Sequence, residues 1–80
     1  MTGDETRPRV NAVYRFADPD YKFGLGTLLC RVTRVVEKVR FDNEPWWHID
    51  AFCKRAVTDA GAERRLYVRA SAVVKSRVQR

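Results

Sequence analysis

The residues with the most chemical potential in this chain are His48, Asp50 and Cys53, with Cys30 farther back. On an extended chain His48 and Asp50 point to the same side. The carboxylate would orient the imidazole, and the ring would activate a thiol. Cys53 has the wrong parity to join them on a regular strand. The nucleophile would need a bulge there, or would have to be Cys30 arriving from a neighbouring strand. The simpler expectation is that both cysteines act as small buried apolar groups. Two Cys and one His without a close ligand pair do not make a structural zinc site. The GLGT run at 24–27 lacks the spacing of a dinucleotide fingerprint and the Lys of a phosphate loop, so Gly24 and Gly26 read as turn residues. No catalytic residue, metal or cofactor is assigned, and the expectation is a domain that binds rather than catalyses.

Binding chemistry is better represented. Trp46 and Trp47 are adjacent, so on a strand they face opposite ways. Trp47 shares its parity with Ile49 and Ala51 and is assigned to the core. Trp46 then lies with His48, Asp50 and Phe52, and Trp46, His48 and Phe52 form a candidate protein-binding patch. The alternative is that the N-terminal segment folds over Trp46.

Charge supplies the other candidate. Residues 1–30 hold four basic and four acidic side chains and residues 31–63 hold six of each, so the formal net charge of +6 comes entirely from residues 64–80. Arg64, Arg65, Arg69, Arg77 and Arg80, with Lys75, have no acid among them in sequence. Arg31, Arg34, Lys38 and Arg40 form a second basic group: Arg34, Lys38 and Arg40 share a side if their segment is a strand, and Arg31, Arg34 and Lys38 line one stripe if it is a helix. Arginine offers planar, bidentate contacts to phosphate and stacks on bases. The eight cations Arg34, Lys38, Arg40, Arg64, Arg65, Arg69, Arg77 and Arg80 are the candidate nucleic-acid contacts, to DNA or RNA, with Trp46 and Tyr67 as stacking platforms. An acidic protein partner satisfies the same charge.

The elements that would position these groups follow from periodicity. Residues 1–9 read as a polar, flexible leader. VNAVYRF alternates Val10, Ala12, Tyr14 and Phe16 as a short half-buried strand. Pro19 with its flanking aspartates, then Gly24 and Gly26, mark turns. TLLCRVTRVVEKVRF carries two patterns. Leu25, Leu28, Leu29, Val32, Val35, Val36 and Val39 recur at helical spacing, with Thr27 as a cap, so a helix near 27–40 is the alternative. Its Val and Thr content favours a strand, bent by a bulge at Val35–Val36, after which Val35, Val39 and Phe41 share a face with Glu37.

DNEP is a turn. WWHIDAFCK follows as a strand, then the Gly61 turn. RRLYVRASAVV alternates Leu66, Val68, Ala70, Ala72 and Val74 against Tyr67, Arg69, Ser71 and Lys75. A helical rival starts later and uses Ala70, Val73, Val74 and Val78. The predicted domain spans 10–74, with a basic tail at 75–80.

Four or five strands separated by short turns predict a mainly β fold, a small antiparallel barrel whose closure removes exposed edges. WWHIDAF, a Gly-containing turn and LYVRASAV resemble the second half of the SH3-like small β-barrel superfamily. In that family a tryptophan-bearing strand is followed by a turn and a strand ending in Tyr-Val. Trp46 or Trp47 matches the tryptophan, Tyr67–Val68 matches the pair, and YRF at 14–16 resembles the aromatic start. The acidic run and proline-bearing stretch of the peptide-binding members are not evident.

Composition bounds the rest. Eighty residues, 45% hydrophobic and 32% charged, are an ordinary globular mixture too short for a two-domain nucleotide enzyme. Two cysteines do not make a secreted-type disulfide framework, and the chain has neither a leader-like apolar run nor a stretch long enough to cross a membrane. Reduced thiols and a cytoplasmic, non-membrane setting are the expectation. The predicted function is a small nucleic-acid-binding domain. The alternatives are a protein-interaction or assembly module using the aromatic patch, and a small enzyme or enzyme accessory subunit.

Overall fold

The computed structural model describes residues 6–22, 26–55 and 59–78. Four strands, β1 (Val13–Phe16), β2 (Leu28–Phe41), β3 (Glu44–Lys54) and β4 (Ala62–Arg69), form one sheet in the order β1-β2-β3-β4, each neighbour antiparallel. A 3-10 turn at Asp18–Asp20 follows β1, and a seven-residue helix, α1 (Ala70–Ser76), follows β4. The fold is mainly β, as the sequence predicts. The sheet curls without closing fully. Beyond its two edge strands, Tyr21 bridges to Val68 and Arg77 bridges to Tyr14.

The β2–β3 hairpin explains most of the shape. Phe41 pairs with Glu44, leaving a two-residue loop of Asp42 and Asn43, both at positive φ (53° and 65°). That is the signature of a type I′ turn, whose twist matches that of the strands. The register slips twice along β2, between Val32 and Arg34 and between Val35 and Glu37. Two bulges therefore bend this long strand, one at the predicted place and one upstream at Thr33. The helix near 27–40 is overturned: the β-branched residues run as a 14-residue strand. The bulges also revise the predicted faces. Val35 pairs with the core residue Ile49, whereas Glu37, Val39 and Phe41 lie on the other face, opposite His48, Trp46 and Glu44.

Strand β3 alternates as its sequence implies. Trp47, Ile49, Ala51 and Cys53 point inward, joined by Leu28, Cys30 and Val32 of β2 and Leu66 and Val68 of β4. The predicted last strand is cut short. Its next residue, Ala70, would face Pro45, which has no N–H to donate to a ladder. The chain turns into α1 there, burying Ala70, Ala72 and Val73 against the sheet and leaving Val74 61% exposed rather than in the core. Of the predicted leader, residues 6–9 lie against the domain. Pro8 is fully buried, Thr6 Oγ1 accepts from Trp47 Nε1 (3.1 Å), and Tyr14 Oη accepts from the Arg9 N–H (3.0 Å).

Candidate interaction face

The outer face of the sheet is built in cross-strand rows, because residues directly opposite in an antiparallel pair share a face. One row is Arg34, Asp50 and Arg65, the next is Glu37, His48 and Tyr67, and the next is Val39, Trp46 and Arg69. Phe41 lies at the hairpin end. Its ring meets Trp46 edge-on at 5.8 Å and Tyr67 edge-on at 5.3 Å. His48 stacks on Tyr67 at 4.5 Å with 21° between planes. Phe41 and Tyr67 are half-buried and the His48 side chain is 12% accessible beside them, so this end of the sheet offers an aromatic surface.

Trp46 lies beneath that surface and is not exposed. It is 4% accessible, the same as Trp47, which corrects the expectation that only one of the pair is buried. The cover is cationic. Lys22 Nζ lies 4.7 Å from the Trp46 ring and 4.6 Å from Phe41, and the Arg69 guanidinium lies 4.7 Å from Trp46. Lys22 is held in place by its N–H donating to Tyr67 O (2.9 Å). Each cation–ring contact is worth about 0.5–1 kcal/mol at an exposed site and more when desolvated. The N-terminal segment covers Trp47 instead, through Thr6 and through Arg7, 5.5 Å from that ring. Trp46 Nε1 and both His48 ring nitrogens are buried and have no hydrogen-bond partner among the described residues. Glu37 Oε2 stands 3.9 Å from His48 Nδ1, within ion-pair range when the ring is protonated.

The predicted basic contacts do not form one patch. Arg65 and Arg69 face outward as their parity implies, but both meet carboxylates. Arg65 Nε donates to Asp50 Oδ1 (3.0 Å), and Arg34 Nε lies 3.9 Å from Asp50 Oδ2. Arg69 pairs with Glu44, and its Nε donates to Pro19 O (2.6 Å). Acid-free as residues 64–80 are, strand pairing brings acids from β3 against them. Arg64 lies opposite Ala51 on the inner row. Lys38 stands 5.4 Å from the Trp47 ring, and Arg40 donates to Asn43 O (3.0 Å) at the hairpin loop. Arg77 joins Arg15, Lys75, Ser76 and Val78 around a shallow cavity of about 420 Å³ at the opposite end of the sheet. Arg80 and Gly24 lie outside the described residues.

Phe52 is also apart from Trp46 and His48. It lines a separate cavity of about 280 Å³ with Val13, Leu29, Cys30, Arg31 and Lys54, and it packs beneath Gly61. Phe41 and Lys22 are the members of the aromatic site that the sequence did not single out. The available signal was Phe41 sitting immediately before the Asp-Asn turn, where a hairpin brings it beside Trp46.

The His–Cys reading is overturned by sheet geometry. His48 and Asp50 are on the outer face, whereas Cys30 and Cys53 are on the inner one, paired opposite each other across β2 and β3. Both thiols are free and buried, with their sulfurs in hydrogen-bond contact at 2.8 Å. They titrate as a pair. The hydrogen bond to Cys30 lowers the Cys53 pKa, aided by the Arg64 charge, while the same contact and burial raise that of Cys30. Among the described residues no group of three or more His, Cys, Asp or Glu could hold a metal ion, and no helix is long and apolar enough to cross a membrane. Comparison with protein-family profiles, curated proteins and solved structures finds no match to this chain.

Proposed function

We propose that the domain is a protein-interaction module of SH3-like type whose binding face is the Phe41–His48–Tyr67 surface, with Trp46 and its two cations as the floor. The observation that carries this reading is the aromatic cluster itself. Four ring systems from three strands gather at one end of the sheet, which is the composition of interface centres rather than of ordinary solvated surface. The unpartnered ring nitrogens add to it. A buried donor or acceptor without a partner costs about 1–3 kcal/mol, and a partner's main-chain carbonyl or carboxylate inserted beside Tyr67 would relieve that cost. Lys22 favours a carboxylate there.

The test is a photo-crosslinking amino acid at position 67, compared with the same group at the exposed Ser71 on α1, in cells that make the protein. Protein adducts at 67 that are absent at 71, and that disappear with Phe41→Ala, are the expected result. Equal adducts at both positions, or none at 67, overturn the reading.

Nucleic-acid binding is the second reading, supported by Arg15, Lys75 and Arg77. These surround one cavity, and no carboxylate pairs with them among the described residues. Replacing all three with Gln should flatten the salt dependence of binding to a duplex probe by about 0.9 for each phosphate no longer neutralised. No binding of the unmodified chain at low salt removes this reading.

A further inference from the structure

The interaction face makes no use of the two thiols on the other side of the sheet. Cys30 and Cys53 are directly opposed in the β2–β3 ladder, the arrangement in which adjacent antiparallel strands hold their Cα atoms about 4.5–5.5 Å apart. That range lies within what a disulfide requires, so a bond needs side-chain rotation but no backbone movement. Tyr14 flanks Cys30 on β1, and Ala62 flanks Cys53 on β4. The Cys53–Ala62 pair is the last rung of the β3–β4 ladder. Strand ends open locally at lower free energy than strand centres, which provides a route to an otherwise buried sulfur. Arg64, two residues along β4, supplies positive charge that favours a thiolate at either sulfur.

We propose that Cys30 and Cys53 are a redox-active dithiol that a small external disulfide converts to a cross-strand disulfide, stapling β2 to β3. The chemistry is two successive exchanges. The Cys53 thiolate attacks one sulfur of the oxidant RSSR, forming a Cys53–SR mixed disulfide and releasing RS⁻. The Cys30 thiolate then attacks Cys53 Sγ, forming the Cys30–Cys53 bond and expelling the second RS⁻. The two thiol protons end on the released groups, so one RSSR yields one protein disulfide and two RSH. Cys53 is the first nucleophile because it is at the strand end and because the Cys30 S–H can donate to its thiolate. Cys30 is the resolving group because its sulfur already touches the one it must reach.

The staple closes the loop between two cysteines 23 positions apart in sequence. It stabilises the folded state mainly by restricting the unfolded chain, and a loop of this size should raise Tm by on the order of 10 °C. The hairpin it locks also carries Phe41, His48 and Trp46, so oxidation would stiffen the strands beneath the proposed face without adding a group to it. The inference does not depend on that face having a partner.

The experiment incubates the reduced, folded full chain with oxidised glutathione and reads intact mass, free thiols and Tm. The expected product is a monomer lighter by two hydrogen atoms, with no free thiol and a higher Tm, returned to its starting state by dithiothreitol. Cys30→Ala should stop the reaction at a glutathione adduct on Cys53, whereas Cys53→Ala should react far more slowly. If either variant fails to fold, the unmodified chain still decides the matter. Two free thiols after overnight exposure, a disulfide that forms only in denaturant, cross-linking between chains, or an oxidised monomer of lower Tm would each overturn the proposal.

Discussion

Trp46 and Trp47 are equally buried but differently satisfied, and replacing each by Phe should separate them. Both indoles are 4% accessible. Trp47 Nε1 donates to Thr6 Oγ1 at 3.1 Å, whereas Trp46 Nε1 has no partner among the described residues. Trp47→Phe loses ring volume in the core, about 1–2 kcal/mol for a partial truncation, and loses a hydrogen bond worth about 1 kcal/mol net. The total is about 2–3 kcal/mol. Trp46→Phe loses comparable volume but also removes a buried, unpaired N–H whose burial costs about 1–3 kcal/mol, so the two effects nearly cancel. The expected cost is under about 1 kcal/mol. At about 4–8 °C per kcal/mol for a domain of this size, Tm should fall by roughly 8–24 °C for Trp47→Phe and by less than about 8 °C for Trp46→Phe. Urea titration followed by far-UV circular dichroism measures both variants without relying on the altered fluorophore. Thr6→Val in the Trp47→Phe background should then cost little, because the donor is already gone. A Trp46→Phe cost equal to or above that of Trp47→Phe would refute the reasoning. It would mean that Trp46 Nε1 has a strong partner or that the cation cover depends on the larger ring.

Two further predictions use local geometry. Gly26 and Gly61 both have left-handed φ, 87° and 83°, but a Cβ at Gly26 meets nothing within 4 Å, whereas one at Gly61 meets the Phe52 ring at 2.7 Å. Gly26→Ala should cost about 1–2 kcal/mol from backbone strain alone, and Gly61→Ala about 1–3 kcal/mol more from overpacking, measured by urea midpoints; equal losses would contradict the close approach. Asp59 accepts from the N–H groups of Arg55 (2.9 Å) and Gly61 (3.0 Å), which hold its carboxyl below the usual carboxylate range. A depressed folded pKa contributes stability above the unfolded pKa near 3.8, lost as pH falls through the folded value. An NMR titration of the carboxyl carbon should therefore show a midpoint below 3.8, and Asp59→Asn should flatten the stability profile on the acid side of that value. An ordinary midpoint would mean that the turn bonds are absent in solution.

Local pattern determined much of this protein. Alternation of period two assigned both faces of WWHIDAFCK and the outward parity of Arg65, Tyr67 and Arg69, because a side chain's face on a regular strand depends only on its position along that strand. The mainly β character and a turn at DNEP followed from residue types in the same way, although pairing confines that turn to Asp42 and Asn43 and puts Glu44 and Pro45 in β3. Tertiary structure decided what pairing decides. The second bulge at Thr33 moved Val35 inward and Phe41 outward, and a single slipped residue inverts every face beyond it. The helical spacing at 27–40 gave way because neighbours on both sides offered a ladder to its β-branched residues. Pro45, distant in sequence, marks where β4 stops and α1 begins.

The candidate site was legible as a set of residue types and illegible as an arrangement. Nothing local placed Lys22 and Arg69 over Trp46, set Glu44 and Asp50 against arginines from an acid-free segment, or put Cys30 against Cys53. Burial, ion pairing and thiol contact are properties of residues far apart in sequence, and the register of three antiparallel strands determines which of them meet.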